Sequence, residues 1–251
     1  MSWILLRGLT REARHWGAFT TLLAGRSGEE VLTLDLPGSG EFAALPSPAS
    51  VGGIVDFLRA EVKARNMQGP HRLLALSLGG MVATGWAQRY PVEVERLVLI
   101  NTSMRPFSSI TQRLRPANWP QLALLAARWP DADYAESVVH DLTCNVSAAR
   151  EADMAAWLQI RKSAPVMPAN AARQLLAAAS FSCAEATPRC PALVLSSAGD
   201  RLVNPLCSTK LAAAWQARHA QHPWAGHDLP HDAGEWVCSQ LADWLASSGD
   251  A

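Results

Sequence analysis

Arg72-Leu-Leu-Ala-Leu-Ser77-Leu-Gly-Gly-Met-Val-Ala83 joins an apolar strand pattern to a glycine-led helix pattern, with a serine at the junction. So tight a turn holds its serine in a strained backbone conformation and leaves room only for small residues two before and two after it. Ala75 and Gly79 occupy those positions. Ser77 is the sole serine of the chain with Gly or Ala at both places, and the sole one with a strand pattern before it and a helix pattern after it. The pattern reads as a nucleophile elbow in an α/β fold. The plain alternative is a buried serine opening a helix in a nucleotide-binding α/β domain.

Outward from this run, short leucine-rich and β-branched stretches near 3–6, 30–34, 72–76, 96–100, 192–196 and 220–223 alternate with helical patterns. Such alternation predicts a mostly parallel sheet of about six strands joined by crossover helices. A helix over 79–89 closes at Tyr90-Pro91, and a last helix over 234–246 carries Trp236, Leu241, Trp244 and Leu245 on one core-facing stripe. The alternation breaks once, between the fourth and fifth strands. There the chain is rich in Ala, Leu and Trp, punctuated by proline, with helices expected over 121–128, 132–141, 148–162 and 169–179. The expected organisation is an α/β core of residues 1–104 and 188–251 with a helical cap inserted at 105–187. The alternative is that these helices form one half of the core.

At 251 residues and 49% hydrophobic, the chain can bury a large core. Lys plus Arg and Asp plus Glu both number 22, so no global field favours nucleic acid or an anionic membrane. No nucleic-acid partner is expected. There is no charged start leading into an apolar run, and no apolar stretch of the roughly 18 residues a membrane helix needs. The expectation is a cytoplasmic protein without a membrane span. Five cysteines without CxxC spacing suggest neither a disulfide framework nor zinc, but reduced and mostly buried thiols. No histidine and carboxylate group has ligand spacing such as HExxH, so neither metal nor cofactor is expected.

A serine hydroxyl is a poor nucleophile at its own pKa, so the elbow needs a base and an orienting acid. Ser196-Ser-Ala-Gly-Asp200-Arg-Leu-Val follows the fifth strand, and Trp224-Ala-Gly-His227-Asp-Leu-Pro230 follows the sixth. Parallel strands end on one edge of the sheet, where Ser77, Asp200 and His227 are expected to converge. Their order along the chain, Ser then Asp then His, is that of α/β-hydrolases. His222 and His231 lack a glycine-led turn and are weaker candidates for the base. His15, His71, His140 and His219 read as surface or satisfied core residues. The side chain of Asp228 is expected to point away from the imidazole, and Asp232 to cap the last helix. The turn after the fourth strand, Asn101-Thr-Ser103, offers no carboxylate.

Arg7-Gly-Leu, Asp35-Leu-Pro-Gly-Ser-Gly40, Leu76-Ser-Leu-Gly-Gly80, Gly199-Asp-Arg-Leu-Val203 and Gly226-His-Asp-Leu-Pro230 together make the chain resemble the α/β-hydrolase superfamily over nearly its whole length. Within it the chain is similar to small capped carboxylesterases of the pimeloyl-carrier-protein methyl ester esterase type and, more distantly, to carbon–carbon bond hydrolases. The resemblance implies an oxyanion hole from the N–H groups of Leu78 and Leu9. Two departures stand out. The chain opens at the strand the family counts as third, so the sheet should be smaller, with an exposed edge. Arg7 also stands where the family commonly has His before Gly8, either ordering the loop or adding positive charge.

For the substrate, Trp119, Leu122, Leu125, Trp129, Trp157 and Met167 are candidates to line an apolar pocket over Ser77, although each could equally pack in the core. Trp119, Leu122, Trp129 and Trp157 are the stronger four. Arg105, Arg113, Arg115 and Arg128 precede the first acidic residue of the insertion, Asp131, and read first as a solvated helix face, or else as a cluster to meet a carboxylate or a carrier-protein surface. The leading expectation is a serine carboxylesterase or thioesterase for a small to medium acyl substrate, free or bound to a carrier protein. A carbon–carbon bond hydrolase or lyase with the same residues is the second. A non-enzymatic binding protein on the same fold is the third, disfavoured because no triad member is missing.

Overall fold

The computed structural model describes residues 2–247. Six strands form one sheet: β1 (Ser2–Leu6), β2 (Glu30–Leu34), β3 (His71–Leu76), β4 (Val94–Ile100), β5 (Ala192–Ser197) and β6 (Arg218–His222). Every pairing is parallel and the order is β2-β1-β3-β4-β5-β6. The chain moves outward from β1 to β2, then returns past β1 to β3, which makes the gap between the ends of β1 and β3 the topological switch point. In open α/β sheets ligands bind at that crevice, beyond the carboxyl ends of the strands.

Strand alternation builds two cores, one on each face. Trp3 and Leu5 of β1 pack with Leu74 and Leu76 of β3 beneath α1 (Phe19–Ser27) and α10 (Leu229–Ser247). Ile4 and Leu6 face the other way, with Leu73 and Ala75, beneath α2 (Val51–Ala64), α3 (Leu78–Arg89) and α9 (Leu206–Trp215). The stripe expected on the last helix faces the core, with Leu241 and Trp244 buried and Trp236 and Leu245 packed beside them. The long segment of that helix starts after a non-helical residue, Ala233 (φ −149, ψ 49), as expected, and a short helical turn over 229–232 precedes it across the kink. β6 starts two residues early. As an edge strand it reads Arg-His-Ala-Gln-His and lacks the apolar run that marks a central strand. The opposite edge is β2, whose residues from Glu30 to Thr33 are exposed or partly exposed.

Between β4 and β5 the chain is helical, as expected: α4 (Ile110–Arg113), α5 (Trp119–Ala127), α6 (Ala132–Thr143), α7 (Arg150–Ser163) and α8 (Pro168–Ser180). All five cysteines are unpaired and buried. Among the described residues no helix is long and apolar enough to cross a membrane.

Candidate active site

Ser77 is the residue between the end of β3 and the first turn of α3, with φ 56 and ψ −116. A positive φ is uncommon outside glycine and persists only where the surroundings over-determine it. Here they do. Ser77 N donates to Ile100 O (3.0 Å), and Ser77 O accepts from Thr102 Oγ1 (2.7 Å) as well as from Gly80 N and Met81 N. The requirement for a small residue at Gly79 is steric: a Cβ there would lie 2.4 Å from Leu6 O and 2.7 Å from Arg7 O. Glycine thus lets α3 start against the end of β1.

Asp200 and His227 come together as the sequence predicts. His227 Nδ1 lies 2.7 Å from Asp200 Oδ2, and both side chains are buried. The other carboxylate oxygen of Asp200 accepts from Leu202 N (2.8 Å) and Val203 N (2.9 Å), so the acid is fixed by its own turn. Gly199 is needed here because a Cβ would lie 2.3 Å from Trp224 O, where the acid turn and the histidine turn pass each other. With Nδ1 engaged, His227 Nε2 is the ring nitrogen left for a substrate-side proton. Among the described residues no hydrogen bond joins it to Ser77 Oγ; such bonds commonly tighten only in the complex with substrate.

Asn101 connects the two halves. It adopts a left-handed conformation (φ 45) immediately after β4. Its Nδ2 donates to His227 O (2.8 Å), Gly226 O (3.3 Å) and Ser197 Oγ (3.0 Å), and its Oδ1 accepts from Ser197 N (2.9 Å). Ser77 hangs on Ile100 and His227 on the very next residue. The sequence marked this position only for its lack of a carboxylate.

Beside Ser77 runs the loop after β1. A Cβ on Gly8 would lie 3.2 Å from Ser77 Cβ and 3.7 Å from Ser77 Oγ. Among the described residues neither Leu9 N–H nor Leu78 N–H donates to a protein acceptor. A model described as the alpha/beta hydrolase family matches residues 3–240. The chain belongs to the alpha/beta hydrolase family. The pimeloyl-[acyl-carrier protein] methyl ester esterase of Chromobacterium violaceum is 32% identical over 111 residues, 42% of this chain and 38% of that protein. The biotin biosynthesis bifunctional protein BioHC of Teredinibacter turnerae is 33% identical over 104 residues, 40% of this chain and 17% of that one. The matched stretch thus spans well under half of either relative. Among solved structures, a thermophilic esterase from Thermogutta terrifontis superposes with TM-score 0.76 at 25% identity, covering 98% of this chain and 90% of that one. An enol-lactonase from Burkholderia xenovorans does so with TM-score 0.78 at 21% identity, covering 98% and 91%.

In this α/β hydrolase Arg7 orders its loop. Its guanidinium donates to both carboxylate oxygens of Asp228 (3.0 and 2.5 Å), with both side chains buried, and lies over the Trp16 ring. Burial alone would raise the Asp228 pKa, but the Arg7 charge and hydrogen bonds hold it below the ordinary carboxylate value. Asp228 therefore does point away from the His227 imidazole. Asp232 does not cap the last helix. Its carboxylate accepts from Gly226 N (2.7 Å), Asn145 N (2.8 Å) and Val146 N (3.3 Å), bracing the histidine turn against the end of α6. That turn needs such bracing because nothing regular holds it before α10.

The remaining candidates separate by contact. Trp157 is buried, with the Arg11 guanidinium 4.0 Å from its ring centroid and His15, His140 and His231 around it. Leu122 and Trp129 pack against a small cluster of Leu125, Ala135, Val138 and Leu142. Trp119 is half-exposed, and its Nε1 donates to Leu114 O. Three of the four arginines of the cluster have partners within the protein. Arg105 and Arg113 both donate to carbonyls at the end of α8, Ser180 O and Ala178 O, where the helix dipole favours cations, and Arg128 pairs with Asp131. His222 is not placed as a base: its Nδ1 accepts from Ala225 N and its ring lies against Trp224 and Trp236.

Cys144, His231 and Asp232 bring three potential metal-ligand atoms within 4.8 Å of one another. Their valences are already used. His231 Nδ1 bonds Asp232 Oδ1 (3.0 Å), its Nε2 bonds Asp153 Oδ2 (2.9 Å), and Asp232 holds three backbone N–H groups besides. The group is a satisfied link between helices α6, α7 and α10.

Proposed function

We propose that this α/β hydrolase is a serine hydrolase that cleaves a carboxylic ester or thioester of a small to medium acyl substrate through Ser77, His227 and Asp200. The observation that carries the reading is the buried 2.7 Å bond between His227 Nδ1 and Asp200 Oδ2, which leaves Nε2 free at the sheet edge where strained Ser77 stands. Membership of the family and the esterase-named relatives support a hydrolase.

In this reading His227 removes the Ser77 proton as Oγ attacks the acyl carbonyl. Asp200 holds the imidazole in the required tautomer and stabilises the imidazolium. The N–H groups of Leu9 and Leu78 meet the tetrahedral oxyanion. His227 then protonates the leaving alcohol or thiol, and water, activated by the same ring, releases the acid from Ser77. The helices of residues 105–187 serve as a cap over the serine, with Trp119, Leu122, Trp129 and Trp157 as its apolar residues. The substrate in the name of the Chromobacterium violaceum relative, a methyl ester on a carrier protein, makes a carrier-bound acyl chain one candidate class.

The test is hydrolysis of a p-nitrophenyl ester series from acetate to decanoate, with fluorophosphonate labelling, for wild type and Ser77→Ala. Turnover and labelling that vanish in the variant are expected, and the chain-length optimum sizes the pocket. A folded wild-type protein that neither turns over an ester nor takes the label removes the reading.

A further inference from the structure

Helix α8 reaches across the molecule to the loop after β1. Gln174 of α8 is fully buried. Its Oε1 accepts from Thr10 N (2.9 Å), while its Nε2 donates to Pro37 O (3.2 Å) and Ser39 Oγ (3.0 Å). Pro37 O can only accept, so the amide is oriented one way, with its oxygen on Thr10. Thr10 adopts φ 57, a conformation that a threonine keeps only under outside restraint.

The peptide that matters lies one residue earlier. Gly8 O accepts from Arg11 N (3.3 Å). In a trans peptide the carbonyl and the following N–H point opposite ways, so fixing Gly8 O aims Leu9 N–H away from Arg11. The next peptide is fixed by Gln174 through Thr10 N and by Thr10 Oγ1 on Leu9 O (2.7 Å). Arg11 is in turn held by Glu136 of α6 (2.6 Å), which Arg161 of α7 also binds (3.1 Å). Two successive peptide planes beside Ser77 are therefore set from the helices between β4 and β5.

We propose that Gln174 is a positioning residue for the oxyanion donor at Leu9, so that α8 helps set the geometry of the reacting centre. This rests on the acyl-transfer reading above. A misplacement of about 1 Å at such a centre costs on the order of 10²-fold, and outright loss of one oxyanion donor about 10²- to 10³-fold.

The experiment compares wild type, Gln174→Met, Gln174→Glu and, as a control on the same helix, the exposed-site variant Leu175→Ala. For each, kcat and KM on the preferred p-nitrophenyl ester, affinity for a boronic acid that forms a tetrahedral adduct, and amide exchange at Leu9 to Arg11 are measured. Gln174→Met is expected to lower kcat about 10- to 100-fold with KM within about threefold, to weaken the boronate in step, and to speed exchange at Thr10. Gln174→Glu keeps the acceptor for Thr10 N–H but loses the donor to Pro37 O, so its kcat is expected to fall less than that of Gln174→Met, with exchange at Thr10 nearer to wild type. If the methionine variant does not fold, this variant carries the test against Leu175→Ala, and faster exchange at Thr10 with unchanged kcat in it overturns the proposal. A folded methionine variant with unchanged kcat, a rise in KM in place of the fall in kcat, unchanged exchange at Thr10, or equal losses in the two Gln174 variants overturns the proposal. Absence of ester turnover in wild type removes the serine-hydrolase reading instead, and the exchange rates then decide whether Gln174 orders the loop.

Discussion

Arg7 and Asp228 form a buried two-pronged ion pair, and Asp228 is the residue directly after His227. The loop beside Ser77 and the turn that carries the imidazole are thereby one unit. Taking away one member of a buried pair strands the other charge and costs about 3–5 kcal/mol, whereas replacing both by apolar groups can be neutral or better. Arg7→Met and Asp228→Asn should each lose stability on that scale in urea unfolding, and Arg7→Met/Asp228→Leu should recover much of it. Single variants within about 1 kcal/mol of wild type would show that the pair does not hold the loops.

The proposed nucleophile and acid differ in their expected losses. Ser77→Ala should lower kcat about 10⁶-fold, and Asp200→Asn about 10⁴-fold by leaving His227 in the wrong tautomer. Steady-state kinetics on the preferred ester, with fluorophosphonate labelling rates, measure both. Comparable activity in Asp200→Asn would remove Asp200 from the reaction.

Asn101 offers a sharper control. It stands after β4, and its Nδ2 is committed to two carbonyls of the histidine turn. A carboxylate there would face those carbonyls and could not donate. Asn101→Asp should therefore fail to restore Asp200→Asn, and by itself should lower both Tm and kcat. Recovery of turnover in the double variant would contradict the placement of Asn101.

Gly79→Ala tests the elbow itself. Its added Cβ would meet the backbone oxygens of Leu6 and Arg7, which cannot swing aside as a flexible side chain would. A loss of about 1–3 kcal/mol or more is expected, with slower labelling of Ser77. A variant with wild-type Tm and labelling rate would mean that α3 can shift without consequence.

His231 predicts an alkaline limit to stability. Burial alone would lower its pKa, but the hydrogen bond to Asp232, with Cys144 and the Asp228 charge nearby, lifts it to about 11. Asp153 of α7 faces its other nitrogen, and His140 of α6 shares that carboxylate. A pKa raised on folding gives stability that is fully present below the unfolded value, near 6.5, and is lost as pH climbs through the folded one. Wild type should lose Tm between pH 7 and 10.5 more steeply than His231→Gln. Parallel curves would show that His231 is not charged in the folded protein.

The sheet, the elbow and the Asp200–His227 pair were legible because each has a local signal: an apolar run, a small-residue spacing, a glycine before an acid or a histidine. Asn101, Arg7 and Asp228 had none, since their partners lie across the fold. The partners of Arg105 and Arg113 were not legible, because the end of α8 that takes them is more than sixty residues further on. Gln174 carried a faint signal. With Asn170 it places two amides four residues apart on an Ala- and Leu-rich helix, and both are buried against core loops.

The grip of α6 and α8 on the core also bears on how this protein can be re-engineered. Asn145, just past α6, donates to Gly199 O and Trp224 O, and Thr143 O takes the N–H of Asp228, while Gln174 takes that of Thr10. A transplant of residues 105–187 from a relative would bring foreign side chains against every one of those turns. That segment could not then be exchanged as a separate module, because the helices and the loops they hold would have to move together.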